Sequence, residues 1–298
     1  MKLSKTILIV LLSTGIFGFN YVAAKVSSIH IDPLETAMLR VVFAALPACL
    51  FLRLSKKEEY RYVLLYGLAF AFGLFLFFKG LKTGIDTGIS SVIMQSGSLF
   101  TAVGGIFFLK EKWNKFNIIG CLIAGLGIYS ISKIKGGGVN VAGIAFVLGS
   151  AFSWTFANLA VRLSRTERPL AFVSWGSLVS AVIFFVINIV AGKSIMDTVL
   201  RIDQQTWMAI AFQGYVTTLI GYGLWTLLLS QNQLVLSAPS YLLVPGFALL
   251  FSHIVLGEVV TAEKVFFSLI VVIGIVVNAS SQSLASLERE KKKAAMLT

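Results

Sequence analysis

Buried amides, one arginine inside an apolar run and a set of aromatic side chains are the residues of this 298-residue chain that could do chemistry. That chemistry is recognition rather than bond making. Asn20, Gln95, Asn158, Gln213 and His253 each interrupt a long apolar segment, with Thr217 and Thr218 close behind. Polar side chains are costly in hydrocarbon, so they usually face the interior of a helical bundle or a wet cavity. An amide offers both donors and an acceptor, and Asn20 and Asn158 fall at comparable places in two apolar segments, which suits a neutral or zwitterionic solute. The bland alternative is that each bonds a neighbouring helix, an interaction averaging about 0.6 kcal/mol. Arg40 is the only basic residue placed inside an apolar segment. Its guanidinium either reaches the interface or pairs with an anion, which would be Asp32, Glu35 or the carboxylate of a solute.

Trp154, Tyr222, Trp225 and Tyr241 are aromatic residues expected at depth rather than at an interface. Tyr222 and Trp225 are spaced i, i+3, which places them on one helical face beside Gly221 and Gly223, where little bulk stands in the way of a solute or a neighbour. Pro239 and Pro245 each remove an amide donor from one segment, and broken helices of this kind mark transporter sites and gates as well as simple kinks. No Asp or Glu lies deep in an apolar run, so His253, whose imidazole titrates near neutrality, is the one candidate proton site. Glu111 and Glu258 are expected at segment ends, where a carboxylate meets a helix N-terminus or nearby bases. A Gly-rich phosphate loop and a Cys/His metal spacing are absent, so no catalytic residue, metal or cofactor is expected. Cys49 and Cys121 read as small hydrophobes.

The elements that must position these groups are transmembrane helices. The composition is 57% apolar and 13% charged, and the mean hydropathy of +0.88 describes a chain living in a lipid bilayer. The net charge of +12 is spread in short clusters between apolar spans, which excludes a nucleic-acid partner. A span needs about 20 apolar residues, and ten stretches qualify: 6–24, 34–52, 62–81, 87–109, 116–133, 141–161, 171–191, 206–229, 236–256 and 264–281. The first run, with Lys2 and Lys5 ahead and Ala23-Ala24 behind it, imitates a secretory signal peptide. Its continuation to Ala24 and the need for a first segment argue that it is kept. With the N-terminus cytoplasmic, sixteen Lys and Arg fall on the inside and eight on the outside, so both termini are expected in the cytoplasm.

The chain also states one pattern twice. Residues 88–134, moved by 147 positions (258 − 111 = 147), fall on 235–281 without a gap, superposing Ser90 on Ser237, Phe100 on Phe247, Gly127 on Gly274 and, further back, Gly67 on Gly214. Ten segments then divide into five and five, and five is odd, so the second unit crosses the membrane in the opposite sense. The expected architecture is an all-α integral membrane protein of ten helices in two inverted five-helix repeats, 1–135 and 136–282, with a basic cytoplasmic tail at 283–298. Duplicated units of this kind point to a secondary transporter whose site lies at the repeat interface.

Gly18-Phe19-Asn20 with Lys25, Leu39-Arg40, Phe152-Ser153-Trp154 with Asn158, Gly221-Tyr222-Gly223-Leu224-Trp225, and Ala238-Pro239 with Leu242-Leu243-Val244-Pro245 resemble the EamA family of the drug/metabolite transporter superfamily. The resemblance covers nearly the whole chain, and its eighth and ninth segments are most similar to bacterial O-acetylserine/cysteine exporters of the inner membrane. It implies export of a small amphipathic metabolite, an amino acid such as cysteine or O-acetylserine, by alternating access. Two departures are Phe17, where the family commonly has Trp, which alters the shape of the pocket, and His253, where relatives carry a small residue. Other solutes remain open, namely a drug, a nucleotide sugar or S-adenosylmethionine, as does a channel-like or structural membrane protein.

Overall fold

The structure is a computed structural model that describes residues 3–109, 115–136, 138–222, 224 and 242–295. Among these residues every regular element is a helix. The first half contains α1 (Leu3–Ser27), α2 (Pro33–Ala45), a short α3 (Ala48–Phe51), α4 (Glu59–Lys82), α5 (Thr87–Met94), α6 (Gly97–Leu109) and α7 (Lys115–Ser132). The second contains α8 (Val141–Ser164), α9 (Pro169–Val190), α10 (Ile195–Arg201), α11 (Gln204–Ala211), a π-helical segment (Phe212–Gly221), α12 (Leu243–Leu256) and α13 (Ala262–Ala295).

Local chemistry sets several of the starts. At α2, the Leu34 amide donates to Asp32 Oδ1 at 2.9 Å and the Asp32 amide donates to Glu35 Oε2 at 3.1 Å, a reciprocal cap. Pro33 follows Asp32 as the first helical residue, where its missing N–H is one of the donors a helix start leaves over in any case. Asn140 caps α8 by accepting from the Gly143 amide at 2.6 Å.

Among the described residues, seven stretches are long and apolar enough to cross a membrane: Thr6–Ser27, Pro33–Phe51, Glu59–Lys82, Lys115–Ser132, Val141–Ser164, Pro169–Val190 and Ala262–Ala279. Their outer faces carry exposed Leu8, Phe72, Leu122, Val186 and Ile273. A multi-pass membrane protein needs such an apolar exterior, which a soluble one rarely shows. Three of the ten expected segments are not among these seven, and two of the three extend beyond the described residues. The fourth apolar segment is broken at Gln95 and Ser96 into α5 and α6, without a proline. Serine hydroxyls there turn back onto carbonyls, Ser96 Oγ to Ile93 at 2.6 Å and Ser98 Oγ to Gln95 at 2.8 Å, and such bonds compete with the helical ladder. The eighth segment changes from α11 to π-helical winding at Phe212. Of the ninth, residues 236–241 lie outside the described residues. In the region of the expected basic tail α13 continues to Ala295; Glu288 and Lys292 stand four apart in a stretch of helix-forming residues, a spacing that supports helix.

Packing joins the halves pairwise. α4 lies along α8, α1 along α12 and the π-helical segment, α2 along α9, and α7 along α13. Small residues permit the close approaches expected between helices in lipid. A Cβ on Gly120 would sit 2.6 Å from the Gly274 carbonyl oxygen, and one on Gly127 would sit 2.9 Å from the Val271 amide nitrogen. The same seam holds a buried amide pair, Asn117 Nδ2 donating to Asn278 Oδ1 at 2.8 Å.

Candidate functional site

Where α1, α2, α4, the α5–α6 break, α8 and the π-helical segment converge, they enclose a cavity of about 190 Å³. Six of the side chains singled out from the sequence line it together: Asn20, Arg40, Gln95, Trp154, Asn158 and Tyr222. They come from both halves of the chain.

Helical spacing aims them inward. Phe17, Asn20 and Tyr21 follow i, i+3, i+4 on α1, while Ser150, Trp154 and Asn158 follow i, i+4, i+8 on α8, and all six line the cavity. Residues so spaced share one helical face. Asn20 and Asn158 each lie in the C-terminal part of a long helix, α1 and α8. Gln95 sits at the break itself, a place where interrupted transmembrane helices meet solutes. Thr217 lies within the π-helical segment and Tyr222 just beyond it, and π-winding is frequent at functional sites.

Aromatic contacts hold the wall. Phe17 and Tyr222 meet edge to face with centroids 5.5 Å apart. Tyr21 meets Phe77 at 5.7 Å and Trp154 meets Phe70 at 5.3 Å in the same manner. Gly73, Leu74 and Phe77 of α4 form an apolar side. The polar side is short of partners, because Asn20 Oδ1 and Thr217 Oγ1 are buried without a hydrogen bond. Buried polar atoms are normally satisfied, so these two are available to a solute.

Arg40 carries the cavity's charge. It is only 9% exposed, its Cζ lies 6.0 Å from the Phe78 ring centroid, and its ionisable neighbours are Tyr222, Tyr21 and Tyr66. Neither carboxylate proposed for it from the sequence is its partner. Asp32 pairs with Lys193 at 2.8 Å, and Glu35 Oε1 accepts from Thr198 at 2.7 Å.

Several other expectations fall away from the cavity. Gln213 is fully buried, but its Nε2 donates to Ser27 Oγ at 2.9 Å and to the Ala209 and Ala23 carbonyls, tying the second half to α1. His253 is exposed one turn before the end of α12, away from the cavity, with Nδ1 donating to the Glu258 carbonyl at 2.9 Å. Pro245 lies in the first turn of α12, where a proline removes no intrahelical bond. Trp225, Pro239, Tyr241 and Glu111 lie outside the described residues. The lining residues not singled out beforehand, Tyr21, Ser98 and Ser150, carry a weak signal: each is a neighbour or a helical repeat of one that was.

Glu258 acts at one end of the bundle. Its carboxylate accepts from the Thr87 amide at 2.8 and 3.0 Å and from the Gly88 amide at 3.3 Å, so the tip of α12 closes onto the start of α5, as expected for a carboxylate at a helix N-terminus. Beside it the buried Lys264 ammonium pairs with Asp86 and donates to the Val259 carbonyl at 2.6 Å. Lys25 donates to the Leu81 carbonyl at 2.8 Å. Burial pushes the Asp86 carboxyl above the ordinary carboxylate value, against the opposing effect of Lys264.

Comparison with known proteins places this geometry. The model of the EamA-like transporter family matches twice, over residues 4–133 and 141–280. The "Probable amino-acid metabolite efflux pump" of Salmonella typhimurium LT2 is 28% identical over 90% of this chain and 92% of its own length, and the protein of that name in Escherichia coli K12 is 29% identical over the same shares. The "Uncharacterized transporter YoaV" of Bacillus subtilis is 25% identical over 92% of this chain and 96% of its own. A solved crystal structure superposes with a TM-score of 0.60 over 92% of this chain and 96% of that one at 16% identity, a likeness of fold alone.

Proposed function

The chain belongs to the EamA-like transporter family, and from that premise we propose that it exports small amphipathic metabolites, amino acids of the cysteine or O-acetylserine type, across the bacterial inner membrane by alternating access. The observation that carries this reading is the gathering of Asn20, Arg40, Gln95, Trp154, Asn158 and Tyr222 from both halves around one small cavity. Its volume of about 190 Å³ lies below the roughly 300–1,000 Å³ of drug-sized sites, which favours an amino acid over a drug or a nucleotide sugar. The names of the Salmonella and E. coli relatives support the same substrate class.

The scaffold is ten helices in two inverted five-helix units, 1–135 and 136–282, with both termini cytoplasmic. Support comes from the double family match and from reciprocal packing: α8 holds α4, α5 and α6, while α1 holds the π-helical segment and α12. The amides bond the polar end of the solute, Trp154, Tyr222, Trp225 and Tyr241 shelter its apolar part, and Arg40 faces its carboxylate. The break at Gln95, together with Pro239 and Pro245, serves as the hinge set. Glu258 against α5 closes the external side in this state.

Purified protein in vesicles loaded with unlabelled cysteine or O-acetylserine should take up the labelled compound by saturable counter-transport. Asn158→Ala should abolish most of that flux while eluting as a folded monodisperse protein. Flux that neither saturates nor shows counter-transport would instead favour a channel.

A further inference from the structure

Among the described residues the cavity is lined by one cation, Arg40, and by no anion. Arg40 is buried, is never deprotonated, and no described carboxylate pairs with it. The chain has thirteen acidic residues, and none of those with described side chains lines the cavity. Asp32 is taken by Lys193 and Asp86 by Lys264. Glu35 takes Thr198, Glu59 takes Thr166, and Glu258 takes the start of α5. The stretch 225–241, which precedes α12 and lies outside the described residues, contains no Asp or Glu.

This imbalance distinguishes the two ends of an amino acid. A carboxylate entering the cavity neutralises a guanidinium that is otherwise buried without a partner, the arrangement in which charge-assisted hydrogen bonds are strongest. An ammonium finds no countercharge. It meets the free Asn20 Oδ1 and Thr217 Oγ1, which accept a neutral N–H or O–H as readily, and it shares a small space with another cation. With a zwitterion bound the cavity keeps its net positive charge; with a monoanion it becomes neutral.

We propose that the site recognises a monocarboxylate anion and is blind to a free ammonium, so that N-acylated and deaminated relatives of its amino-acid cargo bind the same cavity through Arg40. The inference rests on the transport reading for its cargo, but it concerns binding and is tested separately from flux.

The full-length protein in detergent is titrated calorimetrically with cysteine, N-acetylcysteine and cysteinamide. N-acetylcysteine, which keeps the carboxylate and loses the ammonium, should bind within about threefold of cysteine or more tightly. Cysteinamide, which keeps the ammonium and loses the carboxylate, should be weaker by at least about tenfold, the scale of a lost hydrogen bond to a charged group. Arg40→Gln should bring both acids down to the level of the amide, and Arg40→Lys should recover part of the difference. If Arg40→Gln does not fold, the wild-type series decides alone. Cysteinamide binding as well as cysteine, a tenfold or greater loss on N-acetylation, or no binding by any of the three would overturn the proposal. Acid-selective binding without counter-transport would contradict the export reading and leave this one standing.

Discussion

The two halves of the molecule share a scaffold and differ in the chemistry they hang on it. Asn20 on α1 and Asn158 on α8 both line the cavity. By contrast Arg40 stands seven residues after Pro33 at the start of α2 (33 + 7 = 40), and the residue seven after Pro169 at the start of α9 is Gly176 (169 + 7 = 176). That glycine is filled against by the Tyr66 ring, itself a neighbour of Arg40. Gln95 at the break of the fourth segment is matched, after 147 positions, by Leu242 at the start of α12 (95 + 147 = 242). The two halves thus each supply an amide to the cavity, and the difference between them supplies one positive charge on one side. A solute with two unlike ends receives an orientation from that difference.

The largest effect is expected where the halves are most alike. Gly127 and Gly274 are matched positions in the seam between α7 and α13, and each abuts backbone of the other helix. Gly274→Val should cost about 3 kcal/mol or more through overpacking, read as loss of folded yield and a lower melting temperature in detergent, and Gly127→Val should fail in the same way. Gly125→Val is the control, because nothing lies within 4 Å of its Cβ position. A stable Gly274→Val protein would break the symmetric account of this seam.

The paired amides come next. Asn20→Ala and Asn158→Ala should each lower counter-transport about 10- to 100-fold, equivalent to roughly 1.4–2.7 kcal/mol, the range for a hydrogen bond to a charged or buried group. Equal losses would mean that both ends of the solute are read by the amides. A clearly larger loss at Asn20 would mean that the half carrying Arg40 dominates.

A smaller effect is expected at the closed end. Glu258→Gln removes the negative charge from the start of α5 and should lower stability by about 0.5–1 kcal/mol, measured by thermal melting, with the closed state losing ground in accessibility assays. The smallest concerns the rim. Burial alone would raise the Asp32 carboxyl, but the Lys193 ammonium and the Leu34 amide hold it below the ordinary carboxylate value. A carboxyl lowered on folding contributes stability that is present above its unfolded value and is lost as pH falls through the folded one. Because the pair is partly exposed, the term is under about 1 kcal/mol, and Lys193→Met should flatten that acid dependence.

Much of this was legible in the residues because bilayer thickness dictates helix length and because polar side chains in hydrocarbon are few. Asn20, Arg40, Gln95, Trp154, Asn158 and Tyr222 stand out on that ground alone, and one cavity collects them. His253 and Gln213 satisfied the same criterion and lie elsewhere, since an apolar run does not reveal which face of its helix is turned inward or where it ends. The break at Gln95 has no proline to mark it in the sequence; here serine hydroxyls compete for the carbonyls. The π-helical winding before Tyr222 has no sequence mark; it depends on packing against α1 and α2. The fate of Arg40 between Asp32, Glu35 and a solute could be decided only by seeing both carboxylates already occupied.

The central claim is that this cavity is a water-filled place for an anionic solute rather than an interhelical seam. In a protein lacking both native cysteines (Cys49→Ala, Cys121→Ala), Ser98→Cys in the cavity and Phe152→Cys on the exposed apolar surface are treated with an impermeant, negatively charged thiol reagent in reconstituted vesicles. Ser98→Cys should react and be protected by O-acetylserine, while Phe152→Cys stays inert in lipid. An inert or unprotected Ser98→Cys beside a reactive Phe152→Cys would contradict the account.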